Sequence, residues 1–292
     1  MGSIRIGTCS WKYDSWKGLV YPEKEKLNYL KEYANHFNTV EIDKWFWSLF
    51  LPSKVVLPQN KIVSDYKNSV PDDFLFTIKV PNSLTLTHFY RKNKSEELIR
   101  NPHFLSKDLY EQFIQSIKPL HKQIGCLIFQ FEYLNKEKMP AQSVFQNLFY
   151  DFFTQILKTD IPVGIEIRNP NYLNKNYFEF LENLKIIPVF LEGYYMPSSV
   201  ETCNKFKTHF KDTVVFRLHG PDRIGIEKLS NENWDQIYID RTQELEKLSE
   251  LFRDLSDRKL DLFVNVNNHF EGSAPITIQK LKKLLTCCPQ NI

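Results

Sequence analysis

The feature that most constrains this chain is an alternation. Eight short runs rich in β-branched and aromatic residues recur along it, at 4–10, 39–46, 74–80, 124–131, 162–168, 187–191, 213–220 and 260–266. Most are followed by a stretch with helical spacing: 26–37, 52–68 (interrupted by Pro58), 107–120, 141–157, 177–184, 233–255 and 274–285. The helix between the sixth and seventh runs is poorly defined. The fourth run, Ile124 to Phe131, is continuously apolar, as a strand buried on both faces must be. Strand–helix alternation of this kind places parallel strands in one sheet with helical crossovers. Eight such units in 292 residues point to an α/β fold, a single (β/α)8 TIM barrel over 1–292, with its first and last strands adjacent. The rival, an open doubly wound sheet, carries a Gly-rich phosphate loop after its first strand, and Gly7-Thr8-Cys9-Ser10 is not one.

Bulk properties narrow the partners. A net charge of +3 over this length gives no bulk attraction to nucleic acid or membrane. No apolar run approaches a membrane span, and the chain opens on a strand without a charged-then-apolar leader. The five cysteines are an odd number without a CxxC pair, which fits reduced thiols and no disulfide. The chain is therefore expected to be cytoplasmic. Nothing in the sequence indicates an oligomeric state.

In a barrel the C-terminal strand ends share one mouth, from which barrel enzymes draw their catalytic groups. The run Thr213-Val214-Val215-Phe216-Arg217-Leu218-His219-Gly220 places Arg217 and His219 on one face. The other strand ends supply Ser10 and Trp11, Glu41 and Asp43, Lys79, Gln130, Glu166 and Arg168, Glu192, and Asn267 and Asn268. We expect Glu41 and Glu166 to serve acid–base roles, with His219 as acid, base or electrophile. Lys79, Arg168 and Arg217 are expected to hold an anion. Gly220 and Gly272-Ser273 are the candidate phosphate cradle, because the last two loops of a barrel often bind phosphate at a helix N-terminus. Trp11, His88, Gln130, Asn267 and Asn268 complete the expected substrate-binding set. Structural roles stay open: Glu166 and Arg168 as a buried pair, Glu41 as a partner of Lys79 or Arg217, Trp11 as packing. His88 sits in a polar insertion with Arg91, Lys92, Lys94 and Arg100, readable as a solvated loop or a lid.

These residues also resemble a family. Gly7-Thr8-Cys9-Ser10-Trp11 with Tyr13, Trp16 and Gly18 is similar to the opening motif of the YecE-like domain of unknown function. His36-Phe37-Asn38-Thr39-Val40-Glu41-Ile42 resembles its second strand, and Phe76, Lys79, Pro81, Thr87 and His88 its third. Gln130, Glu166-Ile167-Arg168, Arg217-Leu218-His219-Gly220, and Asn267-Asn268-His269 with Gly272, Ala274 and Pro275 match the rest in order. The resemblance implies a TIM barrel and no settled reaction. At fold level it extends to metal-dependent barrels such as sugar isomerases and abasic-site endonucleases, a weak warrant for function. Departures are Asp43-Lys44-Trp45, Glu132-Tyr133 after the fourth strand, and Asn169 after Arg168.

Four functions compete. The first is an enzyme acting on a small phosphorylated or otherwise anionic molecule, with no cofactor called for. The second is a metal-assisted phosphodiesterase acting on nucleic acid, with Glu166, His219 and Glu41 or His88 as ligands to a divalent metal; the near-neutral charge disfavours it. The third is a glycosidase using Glu41 and Glu166 among tryptophans. The fourth is a non-catalytic anion-binding module.

Overall fold

The computed structural model describes residues 1–50, 54–91, 93, 95–156 and 160–286. Lys92, Lys94 and Cys287-Cys288 lie outside the described residues. The barrel strands are β1 Ile4–Thr8, β2 Thr39–Ile42, β3 Leu75–Lys79, β4 Ile124–Gln130, β5 Val163–Glu166, β6 Ile187–Gly193, β7 Thr213–Gly220 and β8 Asp261–Val266. All seven ladders are parallel, running in space β1-β8-β7-β6-β5-β4-β3-β2. The first and last strands pair from Ile4 with Leu262 to Thr8 with Val266, as the alternation predicts.

The remaining seam, between β1 and β2, is closed by an unusual device. An isolated parallel bridge joins Cys9 to Glu41, and Ser10 N–H donates to the Glu41 carbonyl at 3.0 Å. Below it, the Tyr33 hydroxyl accepts from Thr8 N–H at 2.9 Å and donates to the Thr39 carbonyl at 3.0 Å. A side-chain hydroxyl thus stands where a ladder hydrogen bond would be. Gly7 makes the approach feasible, because a Cβ there would lie 2.0 Å from the Thr39 carbonyl oxygen.

The helices around the barrel are α1 Tyr29–Tyr33, α2 Asn60–Asn68, α3 Lys107–Ser116, α4 Gln142–Ile156, α5 Lys175–Leu184, α6 Ser199–Phe206, α7 Thr242–Asp257 and α8 Ala274–Thr286. Their apolar faces pack on the outer side of the strands in one aromatic-rich core, for example Phe129 against Phe152 and Phe153, and Phe216 against Phe252. A second, small cluster fills the barrel interior: Cys126, Ile128, Val189, Val215 and Phe263.

Several element boundaries differ from the spacing argument. The helix expected over 26–37 is one short stretch, capped by the Asn28 side chain accepting from Lys31 N–H. The second strand ends at Ile42 and turns into a 3-10 helix, Lys44–Phe46, and Leu49–Phe50 beyond it pairs antiparallel with Lys54–Val55. The long helix expected over 233–255 begins only at Thr242; a separate helix, Arg223–Ser230, precedes it. The polar segment after Pro81 is not a solvated loop at its start. Asn82, Ser83, Thr85 and Thr87 are buried, and the Asn82 side-chain oxygen accepts from Ser48 and Leu49 N–H. Hydrogen bonds to the Ser48–Leu49 backbone convert Asn82 into interior packing, while the Thr85 hydroxyl is buried without a hydrogen-bond partner among the described residues.

Candidate functional site

Alternation along each strand sends one set of side chains into the barrel. Above the apolar interior cluster that set becomes charged. Arg217 of β7 is 1% exposed and lies at the centre. Its Nε donates to Glu41 Oε2 at 2.6 Å and one terminal nitrogen to Glu41 Oε1 at 2.8 Å, a two-point pairing across the barrel from β7 to β2. The other terminal nitrogen donates to Glu166 Oε2 and to Gln130 Oε1, the latter at 3.1 Å. Asn265 of β8 donates to Glu41 and to Thr77. Arg168, just past β5, donates from Nε to Glu166 Oε1 at 2.9 Å. Two guanidinium cations and two carboxylates therefore neutralise one another inside the barrel.

This network revises the roles expected for three residues. Glu41 and Glu166 are fully buried and neither lines the mouth cavity. Burial works against charge on Glu166, yet Arg217 and Arg168 outweigh it and hold the carboxyl down at about 2. Acid–base chemistry by the pair, and the glycosidase reading built on it, lose their groups. Arg217 spends four of its five N–H donors on protein partners, so it forms the floor of the site rather than an arm that seizes an anion.

Above the floor, the mouth holds a cavity of about 490 Å³. Of the residues read from sequence, Asp43, Lys79, Gln130, Arg168, Arg217, His219, Asn267 and Asn268 line it. Lys79 closes β3 and is 8% exposed, its Nζ 3.8 Å from the centre of the Phe46 ring. Burial first, and Arg217 second, push its amine down to about 8 against the pull of Glu41, Glu166 and Asp43. Among the described residues Lys79 has no ion-pair or hydrogen-bond partner. His219 shares a hydrogen bond with the Tyr194 hydroxyl at 3.2 Å, and its other nitrogen lies 3.8 Å from Cys9 Sγ. Burial and the surrounding Arg217, Arg168 and Lys79 cations keep this imidazole neutral. Burial and Glu41 keep the Cys9 thiol protonated, so the Cys9–His219 contact is not an activated nucleophile.

The remaining expected residues are not brought to the cavity. Trp11 packs edge-on against Tyr66, ring centres 5.0 Å apart, in a separate surface cleft. His88 is buried with Nδ1 on the Thr87 hydroxyl at 3.0 Å. Gly220 has φ 72°, and a Cβ there would lie 2.7 Å from the His269 carbonyl oxygen; it lets the loop after β8 ride against β7. Gly272 and Ser273 are buried beneath the 236–238 segment, with Gly272 N–H bonded to the Asn268 carbonyl at 2.7 Å and Ala274 N–H to its side-chain oxygen at 2.9 Å. Asn268 thus takes the N–H groups of Gly272 and Ala274, the 236–238 segment covers Gly272, and the buried Ser273 hydroxyl has no hydrogen-bond partner among the described residues.

Loop residues complete the lining. Tyr13, Asp43, Tyr194 and His269 reach the cavity, and Trp47 and Tyr90 stand on its rim, 63% and 56% exposed, with ring centres 6.2 Å apart. Burial and Glu41 raise the Asp43 carboxyl above its ordinary range. Tyr194 follows β6 at φ 54°, and the Arg168 guanidinium lies over its ring, 5.5 Å from the centre. Position just beyond a strand end, the signal that singled out Asp43, was also available for Tyr194. Trp47 and Tyr90 sit on turns whose direction no periodicity reveals. Asn169 exchanges two hydrogen bonds with the Leu134 backbone, at 2.8 and 2.9 Å, and so anchors the loop after β4.

The sequence profile of the family described as Protein of unknown function DUF72 matches residues 5–291. The chain belongs to the DUF72 family. It is 24% identical over 301 aligned positions to the UPF0759 protein YunF of Bacillus subtilis (strain 168), covering 97% of this chain and 94% of YunF. It is 26% identical over 173 positions to the UPF0759 protein YecE of Escherichia coli (strain K12), covering 59% of this chain and 51% of YecE. A crystal structure of a DUF72 family protein from Thermotoga maritima MSB8 superposes with TM-score 0.66 and 24% identity, over 97% of this chain and 99% of that one. These likenesses establish the family and the barrel and assign no reaction. For the metal-dependent reading the donor set does not fit: Glu41 and Glu166 are held by guanidinium groups, and His219 by Tyr194. Among the described residues no three His, Cys, Asp or Glu side chains converge. Nor is any helix there long and apolar enough to cross a membrane.

Proposed function

We propose that this DUF72 protein is an enzyme acting on a small anionic substrate held in the barrel mouth. One observation carries the reading. Arg168 gives only its Nε to Glu166, and among the described residues its terminal N–H groups have no hydrogen-bond partner, although the guanidinium lies over the Tyr194 ring; the side chain lines the cavity, 23% exposed. A half-buried guanidinium edge with free donors suits a carboxylate or phosphate. The floor supports it, since Glu41 and Glu166 stand outside the cavity; of the carboxylates that do line it, Asp43, Glu132, Glu227 and Glu232, Glu132 is paired with Lys138 and Glu227 with Arg223. Asp43, His219 and Tyr194 supply groups able to hold or pass a proton.

The test is calorimetric titration of the protein with inorganic phosphate and with small phosphorylated or carboxylated metabolites. Arg168→Gln should weaken saturable binding by about tenfold or more, the usual worth of a hydrogen bond to a charged group, while the fold persists because Arg217 still pairs Glu166. Absence of saturable binding, or unchanged affinity in the variant, overturns the reading.

A further inference from the structure

A lysine is seldom buried without an anionic partner, because its ammonium loses hydration that nothing replaces. Lys79 is such a lysine. No carboxylate lies within 4.0 Å of its Nζ among the described residues. The two nearest candidates by position in the barrel, Glu41 and Glu166, are taken by Arg217 and Arg168. What faces the amine instead is the Phe46 ring, delivered by the 3-10 turn after β2. A second cation, Arg217, stands on the floor of the same cavity. An apolar wall and an adjacent cation are the two surroundings that turn lysine into a nucleophile at neutral pH.

We propose that Lys79 forms a Schiff base with the carbonyl carbon of a small anionic aldehyde or ketone bound in the mouth. This rests on the anion-site reading above and specifies its substrate class: an oxo-acid or a keto-phosphate, whose charged end meets Arg168. The neutral amine attacks the carbonyl carbon, a C–N bond forms as the carbonyl π bond breaks, and the nitrogen gives up one proton while the oxygen takes one up, which gives a neutral carbinolamine. The nitrogen lone pair then expels that oxygen, protonated a second time, as water. The product is a protonated imine; one carbonyl, one amine and one proton have become one iminium and one water, with no redox partner. Asp43, whose carboxyl burial raises, shares the cavity as a proton donor, and the neutral His219 as an acceptor.

Two measurements on the full chain decide it. The first is limiting reductive methylation with formaldehyde and cyanoborohydride at pH 7, read by peptide mass mapping. Lys79 should label about tenfold faster than an exposed lysine such as Lys175, whose side chain is 72% exposed, because far more of its amine is unprotonated. A rate no greater than that of Lys175 overturns the proposal, whatever the natural substrate. The second is cyanoborohydride trapping with dihydroxyacetone phosphate and with pyruvate. We expect one adduct per chain on the Lys79 peptide, lost in Lys79→Arg and suppressed by inorganic phosphate. Labelling spread over surface lysines, equal in both proteins, counts against it. The wild-type peptide map stands even where the variant fails to fold. Phosphate binding that depends on Arg168 without fast Lys79 labelling would retain the anion site and discard the imine. Fast, phosphate-insensitive labelling of Lys79 with no anion binding would do the reverse.

Discussion

Replacing Lys79 with Met tests the electrostatics of the mouth without any substrate. The amine is lowered from 10.5 to about 8, by burial first and by Arg217 second. Glu41, Glu166 and Asp43 pull the other way and lose. At about 1.4 kcal/mol per tenfold change in proton affinity, that depression corresponds to a folding penalty of about 3 kcal/mol while the amine is charged. The sign follows from which state holds the proton. Below about pH 8 both folded and unfolded chains carry it, and the folded state bears the full penalty. Between about pH 8 and 10.5 the unfolded chain keeps the proton and the folded chain does not, so stability rises with pH. Met fills a similar volume over the Phe46 ring and has no charge to desolvate. Lys79→Met should therefore be more stable than the parent at about pH 7. The gap should shrink by about 2 kcal/mol by about pH 9.5. Urea unfolding of both proteins at each pH reads this directly, and taking the difference removes other alkaline effects. A gap that does not change with pH, or a variant less stable at neutral pH, would show that the ammonium has a partner and that the mouth is not a desolvated amine site.

Arg217→Met should cost about 3–5 kcal/mol, because Glu41 stays buried without its cation and Glu166 keeps only Arg168; urea titration that finds less than about 1 kcal/mol would refute the central network. Glu166, held at about 2 against an ordinary 4.5, contributes stability that is complete above about pH 4.5 and is lost as pH falls toward 2. The stability advantage of the parent over Glu166→Gln should shrink over that window in acid unfolding. Tyr33→Phe removes the hydroxyl between β1 and β2 and should cost about 1–3 kcal/mol, leaving Thr8 N–H and the Thr39 carbonyl unpaired. Hydrogen exchange at Thr8 should accelerate with it. Cys9, Cys126 and Cys203 are free and buried, so a thiol reagent should reach them only at the rate of global unfolding.

The barrel was legible because strand alternation and helical spacing are local signals that survive averaging over many residues. The inward parity of Arg217 and His219 followed from the period of a strand alone. What parity could not decide was depth. Glu41 and Glu166 lie one layer below the mouth, Arg217 forms its floor, and Lys79, Arg168 and His219 open on it. Two residues along a strand, the step from Glu166 to Arg168 or from Arg217 to His219, separate a structural charge from an accessible one. The role of Gly272-Ser273 misled for another reason. Glycine before a helix suits an anion cradle, yet here Asn268 supplies the acceptors and the 236–238 segment supplies the cover. A cover drawn from more than thirty residues away leaves no mark on local spacing, whereas the Asn268 acceptors, four and six residues from their donors, are local. The rim aromatics Trp47 and Tyr90 depend on loop direction, the least readable property of a chain.

The ion network also bears on how the molecule comes together. Its hydrogen bonds join residues 176 positions apart for Arg217 with Glu41, 87 for Arg217 with Gln130, and 224 for Asn265 with Glu41. No contiguous half of the chain contains enough of them to neutralise itself. A nascent barrel holding only β1 to β4 would present Glu41 without its cation, and one holding only β5 to β8 would leave Arg217 with half its anions. Partly closed intermediates therefore face an electrostatic penalty that the complete ring relieves at once. This sharpens the all-or-none character of closure, and it makes independently stable half-barrel fragments of this chain a poor design target.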